Sequence, residues 1–297
     1  ERRFARVVRL EIPAGANPRI LKFLMEELQI EPEDVYESQG LIDYGALNEI
    51  ADLDRPELHW PRHAQLAPER LDREDSDIFA AIRGGDILLH HPYESFGLSV
   101  EKFIEDAAND PKVLCIKQSL YRTSGDSPFI GSLIRAAESG KQVAVLVALR
   151  ARFDQARNIL WARKLEDAGV HVAYGVVGYK THTKTALVVR EEQGALRAYA
   201  HIGTGNYNSR TARQYEDIGL LTADPQITED LVNLFNYMTG RSRQREYQRL
   251  LVAPVAMKRR FLELIDREAQ LALGGRTGRI VAVTWIDCSR PVSRSFA

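Results

Sequence analysis

Apolar residues recur along the chain with two different periods, and the pattern changes near residue 75. Before that point a helical stripe follows Asn17-Pro18, a pair typical of a cap and a first helical turn. Its members are Ile20, Leu21, Leu24, Met25 and Leu28. We predict a strand over 6–12 before this helix, and a second strand and a second helix after it. The stretch 53–70, rich in proline, histidine and charge, is interpreted as a linker or loop.

After residue 75 short apolar runs alternate with amphipathic stretches. Strands are predicted at 86–90, 113–121, 142–149 and 170–176, and helices at 100–108, 128–138 and 154–168. Two more strands, 185–190 and 196–202, flank Glu-Glu-Gln-Gly, which indicates a hairpin. Helices follow near 228–238 and 255–271. This alternation predicts an α/β fold, a mixed or parallel sheet flanked by helices, preceded by a partial α+β domain.

Composition is that of an ordinary globular protein, with 297 residues, 44% of them hydrophobic and 27% charged. A net charge of −1 gives no overall field for nucleic acid, so any anion site must be built locally. Cys115 and Cys288 have no metal-ligand spacing and form no disulfide framework, which fits a reducing cytoplasm. No apolar run is long enough to span a bilayer.

The segment Lys180-Thr181-His182-Thr183-Lys184 is predicted to open a strand. Alternate residues of a strand share a face, so Lys180, His182 and Lys184 are expected to point the same way. Two ammonium groups beside an imidazole suit a phosphate site, because they balance its charge and keep the imidazole neutral and nucleophilic. A surface strand with a polar face is the alternative.

A second candidate, His201-Ile202-Gly203-Thr204-Gly205-Asn206, ends a strand. Its glycines let the backbone approach an anion closely, and Asn206 adds a side-chain donor. A common tight turn has the same composition. Because this strand is the hairpin partner of the His182 strand, the two histidines are predicted to face one pocket.

Arg122 and Arg152 each follow the carboxyl end of a predicted strand, where open α/β sheets place ligands. Guanidinium groups suit phosphate oxygens, although either arginine can instead pair with a nearby acid. His90-His91 is interpreted as structural, because adjacent strand residues face opposite sides and do not share one ion easily.

Taken together these segments resemble the polyphosphate kinase family. The matching stretches are DILLHHPYESF (86–96), LYRTSGDSP (120–128), ARFD (151–154), WARKLEDAGVHVAYGVVGYKTHTK (161–184), YAHIGTGNYNSRTARQY (199–215) and GLLTADP (219–225). The resemblance implies a phospholipase-D-like sheet and the reversible transfer of the ATP γ-phosphate to polyphosphate through a phosphohistidine. It also implies magnesium as cofactor, ATP, ADP and polyphosphate as partners, and a homo-oligomer.

Roles follow from this resemblance residue by residue. His182 matches the phosphorylated histidine, Tyr215 a residue that contacts ATP, and His201 a second histidine of the active region. Arg122 and Arg152 match the magnesium site; because arginine has no lone pair for a cation, we expect them to grip phosphate oxygens beside the ion. Lys184 is predicted to assist catalysis, and Lys180 and Asn206 to bind phosphate.

The resemblance also divides the chain. Residues 1–70 resemble the end of a head domain, 71–250 the first phospholipase-D-like catalytic domain, and 251–297 the truncated start of a second one. Residues 281–297 do not resemble the family's continuation, for which a frameshift or a broken gene end is our hypothesis.

Two alternatives stay open. One is an inactive truncated remnant that binds phosphate or polyphosphate. The other is a phospholipase-D-like phosphodiesterase, which Val189 disfavours because that class has an aspartate at this position. Whether this chain turns over is a question for experiment.

Overall fold

The computed structural model describes residues 6–61, 63–72, 77–120, 127–147, 155–176, 178–179, 181–240, 242 and 246–281. Two compact units divide the chain, Glu1–Arg62 and His63–Ala297. Among the described residues no helix is long and apolar enough to cross a membrane.

The first unit contains a small parallel pair of strands. Strand β1 (Leu10–Pro13) pairs in parallel with β2 (Val35–Ser38), and helix α1 (Pro18–Leu28) connects them. The predicted cap is confirmed, since the side chain of Asn17 accepts the N–H of Arg19 at 2.9 Å. A short helix, α2 (Leu47–Ala51), follows. The first strand is shorter and later than the predicted 6–12.

The second unit is built on a seven-stranded mixed sheet, which confirms the predicted fold class. Its strands are β3 (Ile87–His91), β4 (Val113–Leu120), β5 (Gln142–Val147), β6 (His171–Ala173), β7 (Thr185–Glu192), β8 (Ala195–Gly203) and β9 (Asp217–Thr222). Their order across the sheet is β3-β9-β8-β7-β4-β5-β6. Neighbours β4, β5 and β6 run parallel, and the other pairs are antiparallel.

Helices cover both faces of this sheet. They are α3 (Ile78–Arg83), α4 (Lys102–Asn109), α5 (Pro128–Glu138), α6 (Gln155–Asp167) and α7 (Pro225–Met238). A further helix, α8 (Met257–Leu273), follows and has no buried residue. The larger core packs one face against α3 to α6, with Phe103, Ile116 and Leu133 fully buried. In the smaller core the other face packs against α7, and this core includes Leu187 and Ala200. The side chains at odd and even positions of each central strand therefore pack into different cores.

The hairpin between β7 and β8 turns on Gln193 and Gly194, both with positive φ (51° and 79°). This is the backbone that a two-residue turn between twisted strands requires, and the glycine adopts it without steric cost. The predicted hairpin is confirmed.

Asp230, in α7, holds the chain that follows its helix. Its carboxylate is buried and accepts the backbone N–H groups of Gln248, Arg249 and Leu250 at 2.6–2.9 Å. Three donors around one carboxylate satisfy the buried charge, which fixes 248–250 against the sheet's second layer.

Helix α5 has the predicted bounds, and the helices and strands predicted after residue 85 appear with shifts of a few residues at their ends. Two elements were not predicted, α3 and β9. One prediction is wrong: 181–184 is not part of a strand, because β7 begins at Thr185.

Candidate functional site

One edge of the sheet collects the ends of six strands. Gln118 of β4 lies opposite Ala186, and Thr185 lies opposite Ile202, so the end of β4, the start of β7 and the end of β8 are neighbours. The end of β5 is adjacent, since Leu120 pairs with Val147. Beyond β8, the start of β9 lies beside the end of β3. We call this side of the sheet, where the six strand ends lie, the site edge.

The segment 181–184 crosses this edge just before β7. His182 is exposed, whereas Lys184 is 5% exposed, so the two side chains do not share an exposed face. The ammonium of Lys184 donates instead to the backbone carbonyl of His182 at 2.7 Å. The predicted alternation fails here because a non-strand backbone does not hold the two-residue period. As a result, the ammonium of Lys184 lies behind the backbone of His182, the residue that carries the imidazole.

Ser119, near the end of β4, anchors this segment. Its hydroxyl donates to the carbonyl of Thr183 at 2.9 Å and accepts the N–H of Thr185 at 3.0 Å. These bonds flank Lys184 and tie the His182 segment to the centre of the sheet. The sequence signal for Ser119 was a small polar residue at the end of an otherwise largely apolar run, and it was missed.

The second predicted segment follows β8, and hydrogen bonds hold it against β9. The hydroxyl of Thr204 donates to Oδ1 of Asp217 at 2.8 Å and accepts the N–H of Ile218 at 3.0 Å. A Cβ on Gly205 would lie 2.5 Å from Oδ2 of Asp217. Gly205 is therefore needed for close approach of a carboxylate, and Asp217 is a site-edge residue that sequence reasoning missed.

His201 lies beneath this loop and not at the surface. Its ring is 2% exposed, and its Nδ1 is 2.8 Å from the hydroxyl of Tyr207. Burial, and secondarily the nearby His91, lower the pKa of His201 to about 3, so the ring is neutral. Burial also raises the pKa of Tyr207 well above its ordinary value.

His201 lines a small cavity together with His91, Asn206 and Asp217, among others. Among the described lining residues His182 is not included, so the structure brings the two histidines to one edge but gives them different surroundings. His90 and His91 face opposite sides, as predicted. His90 Nε2 lies 2.8 Å from Glu216, while His91 is buried with Nδ1 2.9 Å from the carbonyl of Glu94.

Tyr215 is exposed just before β9 and therefore lies at the site edge. Arg122, Arg152 and Lys180 lie outside the described residues.

Within the described ranges there is no group of three or more His, Cys, Asp or Glu side chains suited to hold a metal ion. Oδ1 of Asp217 already accepts the hydrogen bond of Thr204. The described residues thus do not form a magnesium site of their own.

Two family models match this chain. The model described as polyphosphate kinase C-terminal domain 1 matches residues 77–244, and the one described as polyphosphate kinase middle domain matches residues 1–50. The polyphosphate kinase of Mycolicibacterium gilvum is 53% identical over 281 residues, covering 94% of this chain and 38% of the relative. That of Synechocystis is 54% identical over 290 residues, covering 93% and 40%.

A solved structure agrees with these matches. The crystal structure of polyphosphate kinase from Porphyromonas gingivalis has a TM-score of 0.75 and 30% identity to this chain, covering 90% of it and 41% of that structure's chain. This chain therefore spans about two fifths of the length of the relatives that it matches.

Proposed function

The chain belongs to the polyphosphate kinase family, and we propose that its site edge performs the first half of the family's reaction, transfer of the ATP γ-phosphate to His182. The observation that carries this proposal is the placement of His182. Its side chain is exposed on a segment that bonds from Ser119 and Lys184 hold at the edge where six strand ends meet. A nucleophile needs both access and a fixed position.

The step is an in-line displacement. A ring nitrogen of His182 donates its lone pair to the γ-phosphorus, an N–P bond forms, and the bond to the β,γ-bridging oxygen breaks as ADP leaves. The other ring nitrogen then releases its proton. In the second half a terminal oxygen of polyphosphate attacks the phosphorus, the N–P bond breaks, and the other ring nitrogen regains a proton, which restores the neutral imidazole. Each half is reversible because the leaving group of one direction is the nucleophile of the other.

Neighbouring groups supply charge and orientation. The buried ammonium of Lys184 sits at the main chain of His182 and adds positive potential behind the transferred phosphoryl group. Asn206, at the loop from β8, is proposed to contact phosphate, and exposed Tyr215 to contact the nucleotide. We infer that magnesium arrives with ATP, because this ion usually keeps phosphate oxygens and waters as ligands. It would neutralise phosphate charge there.

Incubation of this chain with γ-labelled ATP and Mg²⁺ tests the proposal. The expected product is protein label that is acid-labile and alkali-stable, as a phosphohistidine is, and that chase with ADP returns to ATP. His182→Ala should abolish the label. His171→Ala is the matched control, since His171 is an exposed histidine in β6, paired with Ala144 away from the site edge. A folded chain that takes no label, or label that survives His182→Ala, contradicts the proposal.

A further inference from the structure

Three polar atoms meet around the small cavity beneath the loop that follows β8. They are Nε2 of His91, Nε2 of His201 and Oδ1 of Asn206. All three are buried, and none has a hydrogen-bond partner among the residues that the structure describes. A buried polar atom left unpaired destabilises the fold, so three at one cavity call for a common partner.

Hydrogen-bond bookkeeping assigns a role to each atom. The carbonyl of Glu94 can only accept, so Nδ1 of His91 carries a proton and, in the neutral ring, Nε2 is an acceptor. Within the described chain the Tyr207 hydroxyl has Nδ1 of His201 as its partner, 2.8 Å away. The Tyr207 hydroxyl therefore donates its hydrogen bond to Nδ1 of His201. Nδ1 then carries no hydrogen, so the hydrogen of the neutral His201 ring is on Nε2. Oδ1 of Asn206 is an acceptor. The cavity thus presents one donor and two acceptors.

A single water molecule matches this set, because it can accept one hydrogen bond and donate two. The cavity leaves about 10 Å³ in which the centre of a water molecule can lie, which is room for one water. A direct bond between the two rings would pair two of the atoms and leave Asn206 unpaired. The low pKa of His201, about 3, agrees with a ring that is buried beside a second imidazole.

We propose that His91, His201 and Asn206 share one internal water, and that through it the two histidines act as positioning residues for Asn206. The water joins the end of β3, the end of β8 and the loop after it. With Oδ1 held inward by the water, the NH₂ group of the Asn206 amide is turned away from it. This consequence for phosphate binding rests on the proposed function, whereas the water site itself does not.

The water is tested directly, without any assay of activity. A crystal structure of this chain at a resolution that places waters should show one peak about 2.7–3.2 Å from all three atoms. Long-range ¹H–¹⁵N correlation spectra should show His91 protonated on Nδ1 and His201 on Nε2. An empty cavity, a direct bond between the rings, or His201 protonated on Nδ1 overturns the proposal.

Paired variants at His91 separate a role in positioning from one in folding. His91→Gln keeps an amide where Nε2 stood, and His91→Asn keeps one where Nδ1 stood and bonded Glu94. The glutamine variant should retain the water peak and most of the His182 labelling rate. The asparagine variant should lose the water and raise the KM for ATP severalfold. If the two variants behave alike, the water does not position Asn206. If the parent chain takes no label while the water is seen, the proposed function fails and the water site stands.

A third variant, at Gly219 of β9, tests the same cavity. A Cβ on Gly219 would lie 2.9 Å from Nε2 of His201. Gly219→Ala should therefore displace the water, and the crystal structure of this variant should show a methyl group in place of the peak. A water that persists there contradicts the location that we propose.

Discussion

At the scale of single residues, Gly205 has the least room for an added Cβ among the described glycines of the site edge. Asp217 leaves no room for a side chain there, since an added Cβ would lie 2.5–3.0 Å from three of its atoms. Gly205→Ala must push the carboxylate away from Thr204. We expect a loss of about 1–3 kcal/mol in the free energy of unfolding, as for other overpacked sites.

Urea denaturation measures this loss, and the double variant Gly205→Ala/Asp217→Ala checks its cause. Shortening Asp217 removes the clashing carboxylate, so the double variant should lose less than the sum of the two single losses. Gly131→Ala, where the nearest atom is 3.5 Å away, is the control and should not destabilise. Additive losses at 205 and 217 would show that the two residues are not coupled.

The buried neutral ring of His201 predicts a specific dependence of stability on pH. In the unfolded chain a histidine has its ordinary pKa of 6.5, but in the folded chain the pKa of His201 is about 3. Between these values the unfolded state binds more protons, so stability falls as the pH drops. The slope from this group is about 1.4 kcal/mol per pH unit.

Unfolding free energies measured from pH 7 to 4.5 test this dependence. The variant His201→Gln should be less stable at pH 7, because it disturbs the bond to Tyr207, and should show a shallower slope below pH 6.5. An unchanged slope would mean that another group is responsible.

At the scale of elements, the anchor at Ser119 is what ties the end of β4 to the start of β7. Ser119→Ala removes a donor to Thr183 and an acceptor for Thr185. Both backbone groups are then left without this partner, at a cost of about 1–3 kcal/mol. The His182 segment should also lose its fixed position, so the labelling rate from γ-labelled ATP should fall severalfold.

Thermal unfolding and labelling are compared with Ser139→Ala. The hydroxyl of Ser139 donates to the carbonyl of Arg135 on an exposed helix end, so its removal changes little. If Ser119→Ala labels as fast as the parent chain, the anchor has no part in placing His182.

The accuracy of the sequence predictions also differs from element to element. Helix α5 was predicted with its correct bounds, because Pro128 marks its first turn and Gly140 its end. Strand β9 was missed: Gly219 interrupts its apolar pattern, and that glycine is explained only by the ring of His201 packing against it. Helix α3 is six residues long, too short for a period to be recognised. The 181–184 prediction failed because Ser119 bonds the backbone 64 and 66 residues later in the chain and holds a non-strand conformation there.

Sequence also indicated which segments converge but not how their side chains are disposed. Strand-end positions follow from alternation and the hairpin, which placed the His182 and His201 segments at one edge. Burial of His201 depends on residues distant in the chain, among them His91 of β3. The roles of His182, Lys184, Asn206 and Tyr215 stay predictions.

At the scale of the whole molecule, a charged network closes the sheet at the edge opposite to the site. Glu192 receives hydrogen bonds from Arg83 at 2.9 Å and from Arg190 and Tyr199 at 2.5 Å each. Arg190 also bonds Asp110 at 2.7 Å. These bonds join α3, β7, β8 and the turn before β4. Burial favours a higher pKa for Glu192, but these donors and the two arginine charges lower it below its ordinary value.

Glu192→Gln should destabilise the unit by about 3 kcal/mol, because it leaves two partly buried arginines without their shared charge. Glu191→Gln is the matched control, since Glu191 is exposed. Because folding lowers the pKa of Glu192, its contribution to stability is present above the ordinary pKa of 4.5 and is lost as the pH falls through the folded pKa. Chemical denaturation at pH 7 and in acid should show the variant's deficit shrinking in acid. A deficit that does not change with pH would assign the loss to packing.

The position of β9 between β8 and β3 has a consequence for the order of events during synthesis. Strand β3 is the first of this sheet to leave the ribosome, and within the described sheet its pairing partner is β9, the last. Some 125 residues separate paired positions such as His91 and Asp217, which makes this a contact of high sequence separation. A nascent chain that has not reached β9 keeps both β3 and the outer side of β8 unpaired, and exposed strand edges of this kind are where chains associate wrongly. The cavity under the loop after β8 is therefore among the last parts of the molecule to form.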